Sequence, residues 1–193
     1  VRHGAFIRGN AIVGKNAVVG NSTELKNVVL FNNVQVPHYN YVGDSILGFK
    51  SHMGAGSITS NVKSDKTLVE IRVGQEKVKT GLKKMGAILG DQVEVGCGSI
   101  LNPGSVIGAN TNIYPLSSVR GYVPSGSIYK NQGEIVEKQG KAHFFSTGQR
   151  EQDLCFPFVK DPLFQQALRG HHFLLQLFVT GQLPDELQDQ GRV

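Results

Sequence analysis

Two basic residues, Arg8 and Lys26, are 18 positions apart, and each directly follows an aliphatic residue, Ile7 or Leu25. Two cations held close together repel each other unless an anion lies between them. Arginine carries a planar fork of donors that suits phosphate. The pair is therefore either a phosphate clamp or two solvated surface cations.

A histidine stands inside the segment VPHYNYVGD, residues 36–44, with Tyr39 and Tyr41 beside it. Imidazole titrates near neutral pH and is the side chain that most often serves as a general base. A lone histidine is more often structural, but His38 is expected within one coil of Lys26. The two tyrosines are suited to orient the imidazole and to pack against a ligand.

A repeat of six residues must position these side chains. Residues 87–122 divide into AILGDQ, VEVGCG, SILNPG, SVIGAN, TNIYPL and SSVRGY, with an aliphatic residue third in every unit. Residues 5–28 repeat the pattern as AFIRGN, AIVGKN, AVVGNS and TELKNV, after which the register slips by one. A period of six fits neither an amphipathic helix nor an alternating strand, whereas a short strand followed by a corner fits it.

The repeat predicts an all-β domain, a parallel β-helix over residues 1–123. Three sides per coil would stack Arg8 above Lys26 on one side of successive coils, about 4.8 Å apart along the axis. The sequence has 24 glycines and no tryptophan, as many tight corners require. The repeat is already running at Ala5, so we expect the chain to be the C-terminal portion of a longer protein.

Residues 62–86 interrupt the repeat and predict a lysine-rich hairpin extruded from the coils. Residues 67–73 have the pattern of a strand, 74–76 of a turn and 77–80 of a return strand. Such a loop is either a solvated decoration or a lid or intersubunit arm that brings cations to a ligand. Beyond it, residues 124–193 form a C-terminal extension in which Asp161-Pro162 predicts the start of a helix over about 162–179.

Composition excludes several classes of protein. The net charge is +5 without a run of five basic residues, which disfavours nucleic acid as a partner. The two cysteines, Cys97 and Cys155, are too few for a disulfide framework. No segment has the pattern of a secretory leader or a membrane span, so we expect a cytoplasmic protein that binds no membrane.

Four segments resemble one family of hexapeptide-repeat acyltransferases. They are GNSTELKN (20–27), PHYNYVGD (37–44), MGAGSITSN (53–61) and ILGDQVEVG (88–96). They are similar to the acetyltransferase half of the bifunctional glucosamine-1-phosphate N-acetyltransferase/N-acetylglucosamine-1-phosphate uridylyltransferase family. The resemblance implies a left-handed β-helix, a homotrimer with active sites at subunit interfaces, acetyl-CoA as co-substrate, and no metal.

The resemblance also implies the roles of individual residues. His38 would be the catalytic base, and Ala55 would lie near acetyl-CoA, with a backbone N–H of Ala55 or Gly56 facing the thioester oxygen. The residues expected to bind the substrate are Arg8, Lys26, Tyr41, His52, Asn61 and Lys84, and those expected to bind the cofactor are Ala55, Cys97 and Pro115.

Some positions depart from the family pattern. His52 replaces an asparagine of the sugar site, and Cys97 and Pro115 replace small residues of the CoA channel. The family's further active-site lysine falls in the insertion, where Lys84 is the best match and Lys66 a possible one.

The sequence thus predicts an N-acetyltransferase for an amino-sugar phosphate such as glucosamine-1-phosphate, in the synthesis of nucleotide-sugar and cell-envelope precursors such as UDP-N-acetylglucosamine. The alternative is a catalytically weak or inactive oligomerising or regulatory domain of a sugar-phosphate nucleotidyltransferase, as the departures at His52, Cys97 and Pro115 indicate. A zinc enzyme of the carbonic anhydrase type would need three histidines, and only His38 and His52 lie well inside the repeat.

Overall fold

The chain folds into a left-handed parallel β-helix of about seven turns, with the β-helix predicted by the hexapeptide repeat and its hand by the family resemblance. The structure is a computed structural model that describes residues 1–130 and 133–138. The expected helix at about 162–179 lies outside these described residues. Within them, no helix is long and apolar enough to cross a membrane.

The strands are short and most are separated by a corner of two to four residues. In chain order they are β1 Phe6–Val13, β2 Val18–Asn21, β3 Glu24–Leu30, β4 Gln35–His38, β5 Tyr41–Leu47, β6 His52–Met53, β7 Ile58–Thr59, β8 Glu70–Val73, β9 Glu76–Lys79, β10 Ala87–Leu89, β11 Glu94–Val95, β12 Ile100–Leu101, β13 Ser105–Ile107, β14 Asn112–Ile113, β15 Ser118–Val119, β16 Tyr122–Val123, β17 Ser127–Tyr129 and β18 Ile135–Glu137.

Three faces run along the helix axis. Strands β1, β3 and β5 each span two faces. Their N-terminal halves form the first face together with β7, β12 and β15. Their C-terminal halves form the second face together with β10, β13 and β16. The third face consists of β2, β4, β6, β11, β14 and β17. All neighbours within these three faces pair in parallel, so each coil lies directly on the next.

The interior is filled by three ladders of aliphatic side chains, one behind each face. On the first face the ladder is Ile7, Leu25, Val42, Thr59, Leu101 and Val119. Its central aliphatic members are fully buried. The third residue of each hexapeptide therefore takes the inward position, because residues on either side of it in the strand point outward.

The first face also has a buried polar column at its leading edge. The column contains Thr23, Asn40, Ser57, Ser99 and Ser117, and all are at most 4% exposed. Their side chains donate to backbone carbonyls at the corner between the third and first faces. These bonds give the buried hydroxyl and amide groups partners inside the coil stack.

The coils stack so closely that some positions exclude any side chain. A Cβ atom built on Gly20 would lie 1.7 Å from the carbonyl oxygen of Pro37 in the next coil. The frequent glycines of the repeat therefore permit contact between successive backbones as well as tight turns.

The coil stack continues past residue 123, where the repeat was expected to end. Strand β17 pairs in parallel with β14, and Tyr129 fills the last inward position of the third face. The next strand, β18, pairs with β17 in the antiparallel sense and closes that edge. Because the inward residue of this coil is the aromatic Tyr129, the coil does not match the aliphatic pattern of the hexapeptide repeat.

The insertion at 62–86 is a hairpin that packs on the outside of the β-helix. Strands β8 and β9 pair antiparallel, and Val69 and Ile71 are fully buried in a cluster with Val106 of the second face and Met85 at the end of the loop. Its base borders an open groove of about 490 Å³, lined in part by Lys63 and Lys79, that none of the expected site residues lines. The hairpin is thus fixed to its own subunit by a second apolar cluster.

We expect Ile71→Asp to detach the hairpin, because it places a charge in an apolar cluster. Limited digestion by a lysine-specific protease should then cut faster after Lys77 and Lys79, while thermal unfolding of the β-helix shifts little. The matched control is Arg72→Asp at the exposed neighbouring position. Equal cleavage of the two variants would show that the hairpin does not depend on this cluster.

Candidate functional site

Arg8 and Lys26 occupy paired positions on the first face, as their spacing predicts. Their Cα atoms are direct partners in the ladder between β1 and β3. Each cation has a carboxylate partner: Arg8 Nε lies 2.6 Å from Glu24 Oε1, and Lys26 Nζ lies 3.5 Å from Asp44 Oδ1. The cluster therefore consists of two ion pairs, and its four charges sum to zero.

Asp44 is the centre of the hydrogen bonds in this cluster. Its side chain is only 8% exposed and sits at the corner between the first and second faces. The side-chain amides of Asn27 and Asn61 both donate to its carboxylate. With Lys26 as a further partner, the buried charge of Asp44 is compensated from three sides.

Tyr41 lies along the first face and joins the same cluster. The amide of Asn61 donates to its phenol oxygen at 3.3 Å. A Cβ atom on Gly43 would come within 2.5 Å of that oxygen, so the glycine leaves the room in which the ring lies. In the motif YVGD, the absence of a side chain at Gly43 therefore allows the Tyr41 ring to extend to the corner that holds Asp44.

The pKa of Tyr41 is raised from its ordinary value of 10.0, mainly because the ring is partly buried. The negative charges of Asp44 and Glu24 raise it further, while the Asn61 hydrogen bond and the charge of Arg8 oppose the rise. At neutral pH the phenol is therefore protonated and can donate a hydrogen bond to a ligand.

His38 lies at the opposite edge of the first face, at the corner between the third and first faces. Three hydrogen bonds between coils define a column there: Gly56 N–H to His38 O, Gly98 N–H to Ala55 O, and Leu116 N–H to Cys97 O. The column contains one residue per coil, namely Asn21, His38, Ala55, Cys97 and Pro115. The structure thus brings together the expected base and all three residues expected near CoA.

The two amides expected to face a thioester oxygen differ at this corner. The N–H of Gly56 donates to His38 O at 3.0 Å, so it cannot face a ligand. The N–H of Ala55 donates no hydrogen bond to any residue in the described part of the chain. Of the two amides expected to face a thioester oxygen, Ala55 is therefore the one that is free to do so.

His52 and the loop lysines lie apart from both groups. His52 points out of the third face, where its Nδ1 atom lies 2.8 Å from Glu94 Oε2. Lys84 is exposed at the end of the hairpin loop, directly before Met85, whose N–H donates to Asn61 O. Lys66 is exposed in a turn closed onto Lys63, so Lys84 lies nearer in the fold to Asn61 than its alternative does.

Sequence reasoning missed both acids of the cluster, although the sequence contains signals for them. Glu24 stands two residues before Lys26, and alternate residues of a strand share a face. Asp44 follows Lys26 by 18 residues, the same spacing that relates Lys26 to Arg8. Extending that spacing by one coil would have identified a carboxylate beside the two cations.

Fold and repeat place the chain in the class of left-handed β-helix domains built from hexapeptides. The family described as the GMPPB C-terminal domain matches residues 1–107, more than half of the chain. The chain belongs to this family.

Curated relatives agree with the resemblance found in the sequence motifs. The bifunctional protein GlmU of Methanococcus aeolicus is 36% identical over 138 residues, which are 71% of this chain and 33% of the relative. A bifunctional sugar-1-phosphate nucleotidylyltransferase/acetyltransferase of Sulfurisphaera tokodaii is 32% identical over 126 residues, 65% of this chain and 31% of the relative. The chain spans about a third of the length of these relatives.

Solved structures share the fold. A mutant of perosamine N-acetyltransferase from Caulobacter crescentus, in complex with CoA and GDP-perosamine, has a TM-score of 0.55 at 17% identity and covers 70% of this chain and 55% of that one. A mutant of AntD, an N-acyltransferase from Bacillus cereus, has a TM-score of 0.56 at 19% identity, with 72% and 79% covered.

We expect the phenol of Tyr41 to stay protonated above pH 10.0, its ordinary pKa. Because the folded pKa is the higher one, its contribution to stability is complete below the unfolded pKa and is lost as pH rises through the folded pKa. The difference in phenolate absorbance between wild type and Tyr41→Phe isolates this group. A midpoint at or below 10.0 would contradict the raised pKa, and Asp44→Asn should lower the midpoint.

Proposed function

We propose that this chain is an acetyl-CoA-dependent N-acetyltransferase whose acceptor is an amino-sugar phosphate such as glucosamine-1-phosphate. The observation that carries the proposal is the arrangement of the first face. One edge holds the column of His38, Ala55, Cys97 and Pro115, and the face beside it holds the charged cluster. An acceptor bound on the face would meet a co-substrate bound along the edge.

The charged cluster suits an acceptor that carries both signs of charge. Arg8 and Lys26 would bind the phosphate, and the acid paired with each cation, Glu24 with Arg8 and Asp44 with Lys26, offsets part of their mutual repulsion. An amino-sugar phosphate has an anionic phosphate and a basic amine on one small ring. A neutral cluster of two ion pairs complements such a molecule better than two free cations would.

His38 would act on the amine. The neutral nitrogen of the acceptor attacks the thioester carbon, a C–N bond forms and the C–S bond breaks. His38 takes the proton of the amine, and the CoA sulfur leaves and receives a proton to give the thiol. The side chain of His38 is exposed and bonds to none of the described residues, so its imidazole is accessible to the acceptor.

The Ala55 amide would stabilise the negative oxygen that forms on the thioester. Its N–H donates to none of the described residues and belongs to the coil directly after that of His38. Removal of one such donor from an enzyme typically lowers the rate by about 10²–10³-fold. Proximity of the two bound substrates would supply most of the remaining acceleration.

The proposal also covers the oligomeric state of the protein, its location in the cell and the pathway in which it acts. The chain would form a homotrimer with its active sites between subunits, act in the cytoplasm and supply precursors of UDP-N-acetylglucosamine and the cell envelope. Asn61 would contact the acceptor within one subunit, and His52 and Lys84, which lie apart from the charged cluster, would do so from a neighbouring subunit. The two relatives named above carry the word bifunctional in their names, and the perosamine N-acetyltransferase structure contains CoA and GDP-perosamine.

We expect His38→Ala to lower kcat by about 10²–10⁴-fold, the usual contribution of a general base. Mass spectrometry of glucosamine-1-phosphate incubated with acetyl-CoA measures the acetylated product. The rate should also fall in acid, where the amine and the imidazole are protonated. Lys77→Ala, at an exposed position of the hairpin, is the control and should retain full activity.

The alternative is an oligomerising or regulatory domain without activity. It predicts a stable trimer by analytical ultracentrifugation and no saturable acetyl-CoA binding by calorimetry. Acetylation by wild type that His38→Ala leaves unchanged would refute the mechanism but keep the activity. Absence of both binding and acetylation would favour the alternative.

We expect acetyl-CoA to slow alkylation of Cys97 by iodoacetamide. The Cys97 thiol is exposed and lies between Ala55 and Pro115 in the column that would hold the pantetheine arm. Peptide mass spectrometry at increasing acetyl-CoA concentration gives the degree of protection, with ATP as the control nucleotide. Undiminished alkylation at saturating acetyl-CoA would place the co-substrate elsewhere.

A further inference from the structure

Asn40 differs from the other members of the buried polar column in the first face. Within the described residues, the column has hydroxyl side chains at positions 23, 57, 99 and 117, and Asn40 is its one amide. Its side chain is 2% exposed. An amide offers an acceptor and two donor hydrogens at once, so it can join groups that a hydroxyl cannot reach together.

The acceptor side of Asn40 holds the turn that carries His38. Its Oδ1 atom accepts a hydrogen bond from the backbone N–H of His38 at 3.1 Å. Between them lies Tyr39, whose φ of 52° is unfavourable for a bulky side chain. The bond stabilises this strained turn and thereby fixes the direction in which the His38 side chain leaves the backbone.

The donor side of Asn40 holds the next coil. Its Nδ2 atom lies 2.8 Å from Gly54 O and 3.2 Å from Ser57 O, and the hydroxyl of Ser57 lies at 3.1 Å. The carbonyl of Gly54 and the N–H of Ala55 belong to one peptide unit. All peptide bonds here are trans, so a carbonyl directed inward to Asn40 directs the Ala55 N–H outward.

We propose that Asn40 is a positioning residue that orients the His38 turn and the Ala55 N–H relative to each other. The inference rests on the proposed function, in which these two groups act on the same thioester. One buried amide side chain bridges two successive coils at the point where the base and the oxyanion donor must stay in register. A displacement of about 1 Å at such a site can lower a rate by about a hundredfold.

The test compares wild type, Asn40→Ser and Ser105→Ala. Serine already occupies the same column at positions 57, 99 and 117, so the fold accepts it there. Ser105 is an equally buried hydroxyl whose bonds to Asn102 O and Val119 O lie at another corner, which makes its variant a matched control. We expect Asn40→Ser to lower kcat roughly tenfold to a hundredfold, with the KM for acetyl-CoA nearly unchanged, and Ser105→Ala to keep wild-type kcat.

A double-mutant cycle with His38→Ala separates positioning from general destabilisation. If Asn40 acts through His38, the factor that Asn40→Ser removes should be smaller in the His38→Ala background. The same factor in both backgrounds, or a loss confined to KM, would overturn the inference.

Hydrogen exchange supplies a readout that does not need activity. Asn40→Ser should speed exchange of the His38 and Gly56 amides, which bond within this corner, while amides of the second face stay protected. Unchanged exchange at His38 would refute the inference even in an active enzyme. If wild type acetylates none of the tested sugar phosphates, the proposed function has failed, and faster exchange would still show that Asn40 joins the two coils.

Discussion

Close stacking of one coil on the next is the constraint on which the rest of this molecule depends. Backbone hydrogen bonds between parallel neighbours require a separation of about 4.8 Å, and at Gly20 this leaves no room for even a methyl group. Once that spacing is imposed, residues a coil apart become neighbours regardless of what lies between them in sequence. The charged cluster, the His38 column and the buried polar column are all consequences of this axial repeat.

Stacking also sets the energetics of the polar groups. The cluster around Asp44 would be costly as an isolated buried charge, but the coils bring Lys26, Asn27 and Asn61 to the same corner. The chain therefore maintains a partly buried acid beside a cation without a net charge. A substrate with charges of both signs can replace these internal contacts by similar ones, which limits the cost of desolvation on binding.

The fold could be predicted from the sequence to a large extent because the repeat and the fold have the same period. The aliphatic third positions and the pairing of Arg8 with Lys26 follow from counting in sixes and eighteens. The packing of the hairpin could not be predicted, because it depends on Ile71 meeting Val106, two residues without a shared period. The sequence prediction missed the carboxylate partners of the cations. Two neighbouring cations were interpreted as a site for an external anion, whereas the chain itself supplies the anions Glu24 and Asp44.

The hairpin leaves and re-enters the stack of coils at a single corner, so the length of the inserted loop can change without changing the stack. Ile58 and Thr59 pair with β5 before the insertion, and Ile88 and Leu89 pair with the same strand after it. Residues 62–86 therefore add no axial displacement, and the spacing from His38 to Pro115 is independent of the length of the loop. Because loop closure entropy grows only slowly with length, this corner is a natural graft site. A foreign loop can be introduced there without changing the axial spacing of the coils.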